Sequence, residues 1–210
     1  YFYAKRDDPN IHSTIAHKRN SGVENSIGDV IIHMDDDDIY FANSVMTKVK
    51  VLLKYKDKQC VACSKVGAYD LINNISMDAE ESDDPTGMSE ASFAYWRTFW
   101  EERKFDNNNI IGEGKSFLQG RTDKVIDIPY PYSGVAITHK KNATGKLRSI
   151  EGKNVDPKII AEQKTSFWDD LFDDEHRRHL RALKTMQDGF EEFMKKSLEE
   201  KRKFINQIQK

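Results

Sequence analysis

The chain has 210 residues, 38% of them hydrophobic and 32% charged, with a formal net charge of −2. That length suits one domain, or one domain plus an appendage, with a core of its own, and the near-neutral balance leaves no basic footprint for nucleic acid. No apolar run reaches the ~18–20 residues of a membrane span and "YFYAKRDDPN" lacks a signal-peptide core, so a cytoplasmic protein is expected.

In chain order, "KRNSGVENSIGD" (18–29) predicts a short helix with Val23 and Ile27 on one face and Gly28 as a left-handed cap. "VIIHM" (30–34) is too short for a helix and predicts a strand covered on both faces. "NSVMTKVKVLLKY" (43–55) predicts a second helix, with Ser44 as cap and Val45, Val49, Leu52 and Leu53 inward. "CVACSKVGAYDLI" predicts one or two strands, followed by a turn at Asn73–Asn74. Its Cys60 and Cys63 are the only cysteines. Zinc would need a second ligand pair and a thioredoxin-type site would need a helix start, so two reduced, largely buried thiols are expected. Helices alternating with apolar strands predict an α/β, Rossmann-like fold with a mixed, largely parallel sheet flanked by helices. In such sheets ligands sit beyond the carboxyl ends of the strands.

The acidic, aperiodic "DAEESDDPTG" (78–87) predicts a mobile loop. "EASFAYWRTFWEERKF" (90–105) predicts an aromatic helix with Phe93, Trp96 and Trp100 on its core face, and "DKVIDIPYPYSGVAITHK" predicts two strands separated by prolines. From Asp174 onward, Leu180, Leu183, Phe190, Met194, Leu198, Ile205 and Ile208 form an apolar stripe at helical spacing. This predicts an amphipathic helical segment, and a division into a domain at 1–155 with a helical extension at 156–210 packed on it.

The run Asp35–Asp38 follows the first predicted strand directly. Like charges about 4 Å apart repel by about 4 kcal/mol at an effective dielectric near 20, so such a run implies a bound cation. Hard oxygen ligands suit Mg²⁺ or Mn²⁺, which commonly share their shell with substrate phosphates. A solvated acidic turn is the plain alternative. An EF-hand loop would need a glycine and a distal glutamate that are absent. A haloacid-dehalogenase-type phosphatase would place Thr or Val where Ile39 stands.

"IAHKRNSGVENSIGDVIIHMDDDDIY" resembles the core of GT-A-fold glycosyltransferases of the family-2 type, which read Arg-Asn, Gly, a short helix, Gly-Asp or Gly-Glu, an apolar strand and Asp-x-Asp. With "CSKVGAYDLINN", the wording is closest to glycosyltransferase domains of large DNA viruses of algae and protists. At lower specificity the likeness runs through "SEASFAYWRTFWEERKF" and "GEGKSFLQGR".

The resemblance implies a divalent-metal-dependent glycosyltransferase using a nucleotide-diphosphate sugar, UDP-linked, on a glycan or protein-linked acceptor, which for a viral protein means a capsid glycan made in the host cytoplasm. Asp37, with Asp35, would hold Mn²⁺ or Mg²⁺, with His139 completing the metal site or touching phosphate. Asp36 or Asp38 would bind the ribose or the sugar, Arg19 and Asn20 would face the nucleotide, and Glu113 would act as the base. A loop at 78–87 would order over bound donor. Two departures stand out. The family's opening strand–helix–strand has no clear counterpart, and its Glu-Asp motif is Glu113-Gly114 here. The competing class is a non-catalytic nucleotide- or glycan-binding module on the same fold.

Overall fold

The computed structural model describes residues 14–71, 75–78, 84–138, 178, 180–182 and 184–185. It is a mixed α/β structure with two mixed sheets and flanking helices. Helix α1 (Ile15–Glu24) leads into β1 (Val30–Ile32) and β2 (Ile39–Tyr40), then α2 (Ser44–Lys54), β3 (Cys60–Ala62), β4 (Gly67–Asp70) and β5 (Ile75–Asp78). A 3-10 turn at Glu90–Ser92 precedes β6 (Ala94–Trp96), α3 (Arg97–Glu102), α4 (Glu113–Leu118), β7 (Val125–Asp127) and β8 (Gly134–Thr138).

The first sheet runs β1-β6-β3-β7 and the second β2-β8-β4-β5. Among the described residues, β3–β7 and β4–β8 are the parallel pairings and the other four are antiparallel. The expectation of a largely parallel sheet is therefore corrected to a partly parallel one. The physical reason is β6, which lies antiparallel between β1 and β3 where a helix was expected. Its residues alternate at period two. Tyr95 packs into a cluster with Phe99, Phe117, Cys60 and Ala62, while Ala94 and Trp96 pack on the opposite face with Leu52 and Val61. The rest of the expected aromatic helix survives as α3, and Phe93 and Trp100 are buried as predicted.

Other boundaries shift for identifiable reasons. Helix α1 begins earlier than predicted, because Thr14 caps it by accepting the His17 N–H at 3.1 Å. It closes at Asn25, not Gly28, which is not left-handed, and Ile27 is fully exposed. Arg97 staples the segment beyond, donating to the carbonyls of Val23, Ser26 and Gly28. In α2 the inward stripe is Ser44, Lys48 and Leu52, with Val45 and Leu53 exposed. Ser44 opens the helix and Asn43 stands at the cap. Cys60 and Cys63 are free, buried thiols, as expected.

Part of the predicted 78–87 loop lies outside the described residues, as do Asn73, Asn74 and most of the C-terminal stripe. Leu180 is described, and it is buried against Ile39, Leu71, Tyr130, Val135 and Ile137 of the second sheet's core. Among the described residues no helix is long and apolar enough to cross a membrane.

Candidate active site

Strand β1 runs to Ile32, and His33, Met34 and the acidic turn follow it at one end of the first sheet. They form part of a cleft of about 840 Å³ whose walls include Arg19 from α1, Asp35, Asp36 and Asp37, Glu90 from the 3-10 turn, and Glu113 at the start of α4. The chain thus brings an acidic turn and two glutamates remote in sequence to one opening.

Arg19 organises the floor. Its Nε donates to Glu113 Oε1 at 2.9 Å, and its Nη1 and Nη2 donate to the two oxygens of Asp35 at 3.1 and 3.4 Å. Burial works against the guanidinium charge, yet Asp35 and Glu113 outweigh it and hold Arg19 above its ordinary value. Arg19 is therefore in the cleft as predicted, with its fork turned onto two carboxylates. Glu113 is 3% exposed.

His33 lies beneath. Its Nδ1 is 2.9 Å from the Glu90 carbonyl and 3.1 Å from Arg19 Nη1, and its Nε2 is 2.9 Å from the Tyr95 hydroxyl. Burial, reinforced by the Arg19 charge, pushes it down to about 3, so the ring is neutral at physiological pH. A neutral ring carries one N–H. At Nδ1 it either donates to the Glu90 carbonyl or accepts from Arg19.

The acidic turn divides its four carboxylates. Asp35 faces Arg19, and its backbone N–H meets the Tyr40 hydroxyl at 2.7 Å. Asp36 is exposed, and Asp37 is half-buried; both line the cleft. Asp38 departs from expectation, because its Oδ1 accepts the Ile137 N–H of β8 at 2.9 Å and it does not line the cleft. It ties the turn to the second sheet. Asn20 departs too. Its amide donates to Phe105 O and Asn107 Oδ1, both at 2.8 Å, and accepts from Trp100 Nε1 and the Phe105 N–H. All four of its hydrogen-bonding positions are used by the protein and it is 4% exposed, so it buttresses the cleft wall from behind. His139 lies outside the described residues.

Glu90 is the residue that sequence reasoning missed. Its Oε1 accepts the Gly114 N–H at 3.0 Å. Burial, then the neighbouring Glu113 charge, hold its carboxyl above the usual range. A Cβ at position 114 would stand 2.5 Å from Glu90 Cγ, so only glycine permits the approach. The legible signal was Gly114 itself, a helix-breaking residue inside a short helix.

Among the described residues, no three His, Cys, Asp or Glu groups converge to hold a metal ion by themselves. Asp35 and Asp37 nevertheless flank the turn that lines the cleft, and a carboxylate offers about four acceptor sites, of which Arg19 uses two on Asp35. This donor set fits an oxygen-seeking divalent ion whose shell is completed by phosphate and water, not one caged wholly by protein. No protein-family model matches the sequence, and no curated protein matches it.

Proposed function

We propose that the cleft is the donor site of a divalent-metal-dependent glycosyltransferase with a GT-A-like arrangement, moving a sugar from a UDP-linked donor to a glycan or protein-linked acceptor. One observation carries the reading: the acidic turn after β1 and the Glu90–Glu113 wall open on the same cleft. Glycosyl transfer needs a cation site for the departing diphosphate and a carboxylate for the acceptor proton, and these two walls supply both kinds of group. Asp35 and Asp37 would hold Mn²⁺ or Mg²⁺, which when bound acts as a Lewis acid on the leaving diphosphate. Arg19, between them and Glu113, fixes the Asp35 carboxylate and keeps the concentrated negative charge of the turn partly neutralised.

A binding module on the same fold is the second reading. It is favoured by the burial of Glu113 and its ion pair with Arg19, which leave that carboxylate little freedom to react. Titration with UDP, with and without Mn²⁺, and release of UDP from UDP-sugars separate the two. The parent is expected to bind UDP only with metal and to hydrolyse a donor slowly. Asp37→Asn is expected to abolish Mn²⁺-dependent UDP binding. Unchanged binding in that variant would overturn the metal assignment, and binding without any donor turnover would favour the module.

A further inference from the structure

We propose that Glu90, and not Glu113, is the catalytic carboxylate of the cleft, with Glu113 serving as the anchor of Arg19. The assignment rests on the glycosyltransferase reading above and decides between two glutamates that line the same opening.

The two differ in what holds them. Glu113 is 3% exposed and its Oε1 meets the Arg19 Nε at 2.9 Å. That ion pair, together with the burial, occupies the Glu113 carboxylate from the protein side and leaves it little room to meet an acceptor hydroxyl. Glu90 is half-buried, and among the described residues no Lys or Arg forms an ion pair with it. Its carboxylate is hydrogen-bonded by neutral backbone N–H groups, Gly114's at 3.0 Å among them, and burial, then the Glu113 charge, raise its affinity for a proton, which makes the ionised carboxylate the stronger acceptor.

Position is fixed from two sides. The backbone of the 3-10 turn lies against the floor, with the Glu90 carbonyl 2.9 Å from His33 Nδ1 and the Ala91 carbonyl accepting from the Tyr40 hydroxyl at 3.3 Å. The carboxyl end rests over the first turn of α4, in the space that a side chain at position 114 would fill. In sequence Glu113-Gly114 offers one carboxylate; in space Glu90 supplies a second beside it.

The step balances without a further reactant. The acceptor hydroxyl gives its proton to a Glu90 oxygen as its own oxygen bonds to the anomeric carbon. The bond from that carbon to the diphosphate oxygen breaks, its electron pair leaves with UDP, and Glu90 releases the proton to water.

The test uses the full chain, UDP-sugars with water as acceptor, and calorimetric binding of UDP in the presence of Mn²⁺. Glu90→Gln keeps an oxygen for the Gly114 N–H, so UDP affinity and melting temperature should hold while kcat falls by about 10²–10⁴-fold. Glu90→Asp should recover part of that loss. Gly114→Ala removes no charge but pushes Glu90 off its N–H, and should lower kcat with UDP affinity intact. Glu113→Gln should weaken UDP–Mn²⁺ binding and lower the melting temperature, because Arg19 loses its anchor. Normal turnover in Glu90→Gln, or lost turnover in Glu113→Gln with binding and melting unchanged, would overturn the assignment. A parent that neither binds UDP with Mn²⁺ nor releases it would remove the glycosyltransferase reading first, and the role of Glu90 with it.

Discussion

Two cations lie inside this protein under opposite conditions. Arg19, at the floor of the cleft, is enclosed by Asp35, Glu113 and His33, and its charge is held above the ordinary value despite burial. Lys48, under α2, is 0% exposed, and its Nζ has no hydrogen-bond partner among the described residues. Its Nζ lies over the face of the Tyr40 ring at 5.8 Å, and burial lowers it to about 8, against the opposing effect of Cys63. The difference teaches where the fold has built for charge. The cleft is wired so that a cation is required; the region beneath α2 tolerates one because the long stem fills the stripe between Ser44 and Leu52.

The largest effect should come from breaking the first region. Arg19→Met leaves Glu113 buried without its partner, and removing one member of a buried pair typically costs about 3–5 kcal/mol. Urea unfolding at neutral pH measures it, and a loss below about 1 kcal/mol, the scale of an exposed pair, would show that the ion pair is not structural.

The second region should respond in the opposite direction. Lys48→Met keeps the stem and deletes an unsatisfied buried amine, and should stabilise by about 1–3 kcal/mol. The pH dependence carries the same signature. Folded Lys48 loses its proton near pH 8 and the unfolded chain near 10.5, so between these values the unfolded state binds more protons and stability rises with pH. The penalty is fully present below about pH 8 and relieved as pH climbs toward 10.5. That rise should vanish in Lys48→Met; a rise of equal size in both proteins would assign it to another group.

The smallest effect concerns the residue between the regions. Tyr40 presents its hydroxyl to the Asp35 N–H and the Ala91 carbonyl, and its ring to Lys48. Tyr40→Phe should cost about 0.5–1.5 kcal/mol for the lost hydrogen bonding and leave the Lys48 pH step in place. Loss of the step would mean that the two regions are coupled through this ring.

These side chains also mark how far the sequence could be read. The short strand after α1, the acidic turn at its end, the helix at 43–55 and the proline-separated strands near 125 and 135 were legible, because each is announced by local apolar periodicity or by a punctuating residue. The central strand β6 was not. Phe93, Trp96 and Trp100 satisfy a helical spacing as well as Phe93–Trp96 satisfies a strand, and only the neighbours β1 and β3 choose between them. Val45 and Leu53 were expected inward for a related reason: a hydropathy pattern follows the apolar residues, and the burial of Lys48 by its stem, which turns the stripe to Ser44, Lys48 and Leu52, is a tertiary decision. In the site, Arg19, Asp35, Asp36, Asp37 and Glu113 were named from sequence and line one cleft. Asn20 and Asp38 were named for chemistry but hold structure instead, since an amide or carboxylate beside unsatisfied backbone groups is taken up by them first. Glu90 went unread because its partner, the Gly114 N–H, lies across the fold.

The two parallel pairings have a consequence for the order in which the molecule can be made. β3 pairs with β7 through Cys60 and Val125, and β4 pairs with β8 through Asp70 and Thr138, so the same early stretch waits twice for the same late one. At a synthesis rate of about 5–20 residues per second, the Gly67–Asp70 edge stands open for several seconds before its parallel partner is translated. Until then the acidic turn lacks its clasp as well, because Asp38 closes on the Ile137 N–H of that same last strand. The cleft is therefore finished from the far end of the described chain, and a nascent polypeptide stopped short of β8 should be readily cut by protease between β2 and β5, however complete its acidic run.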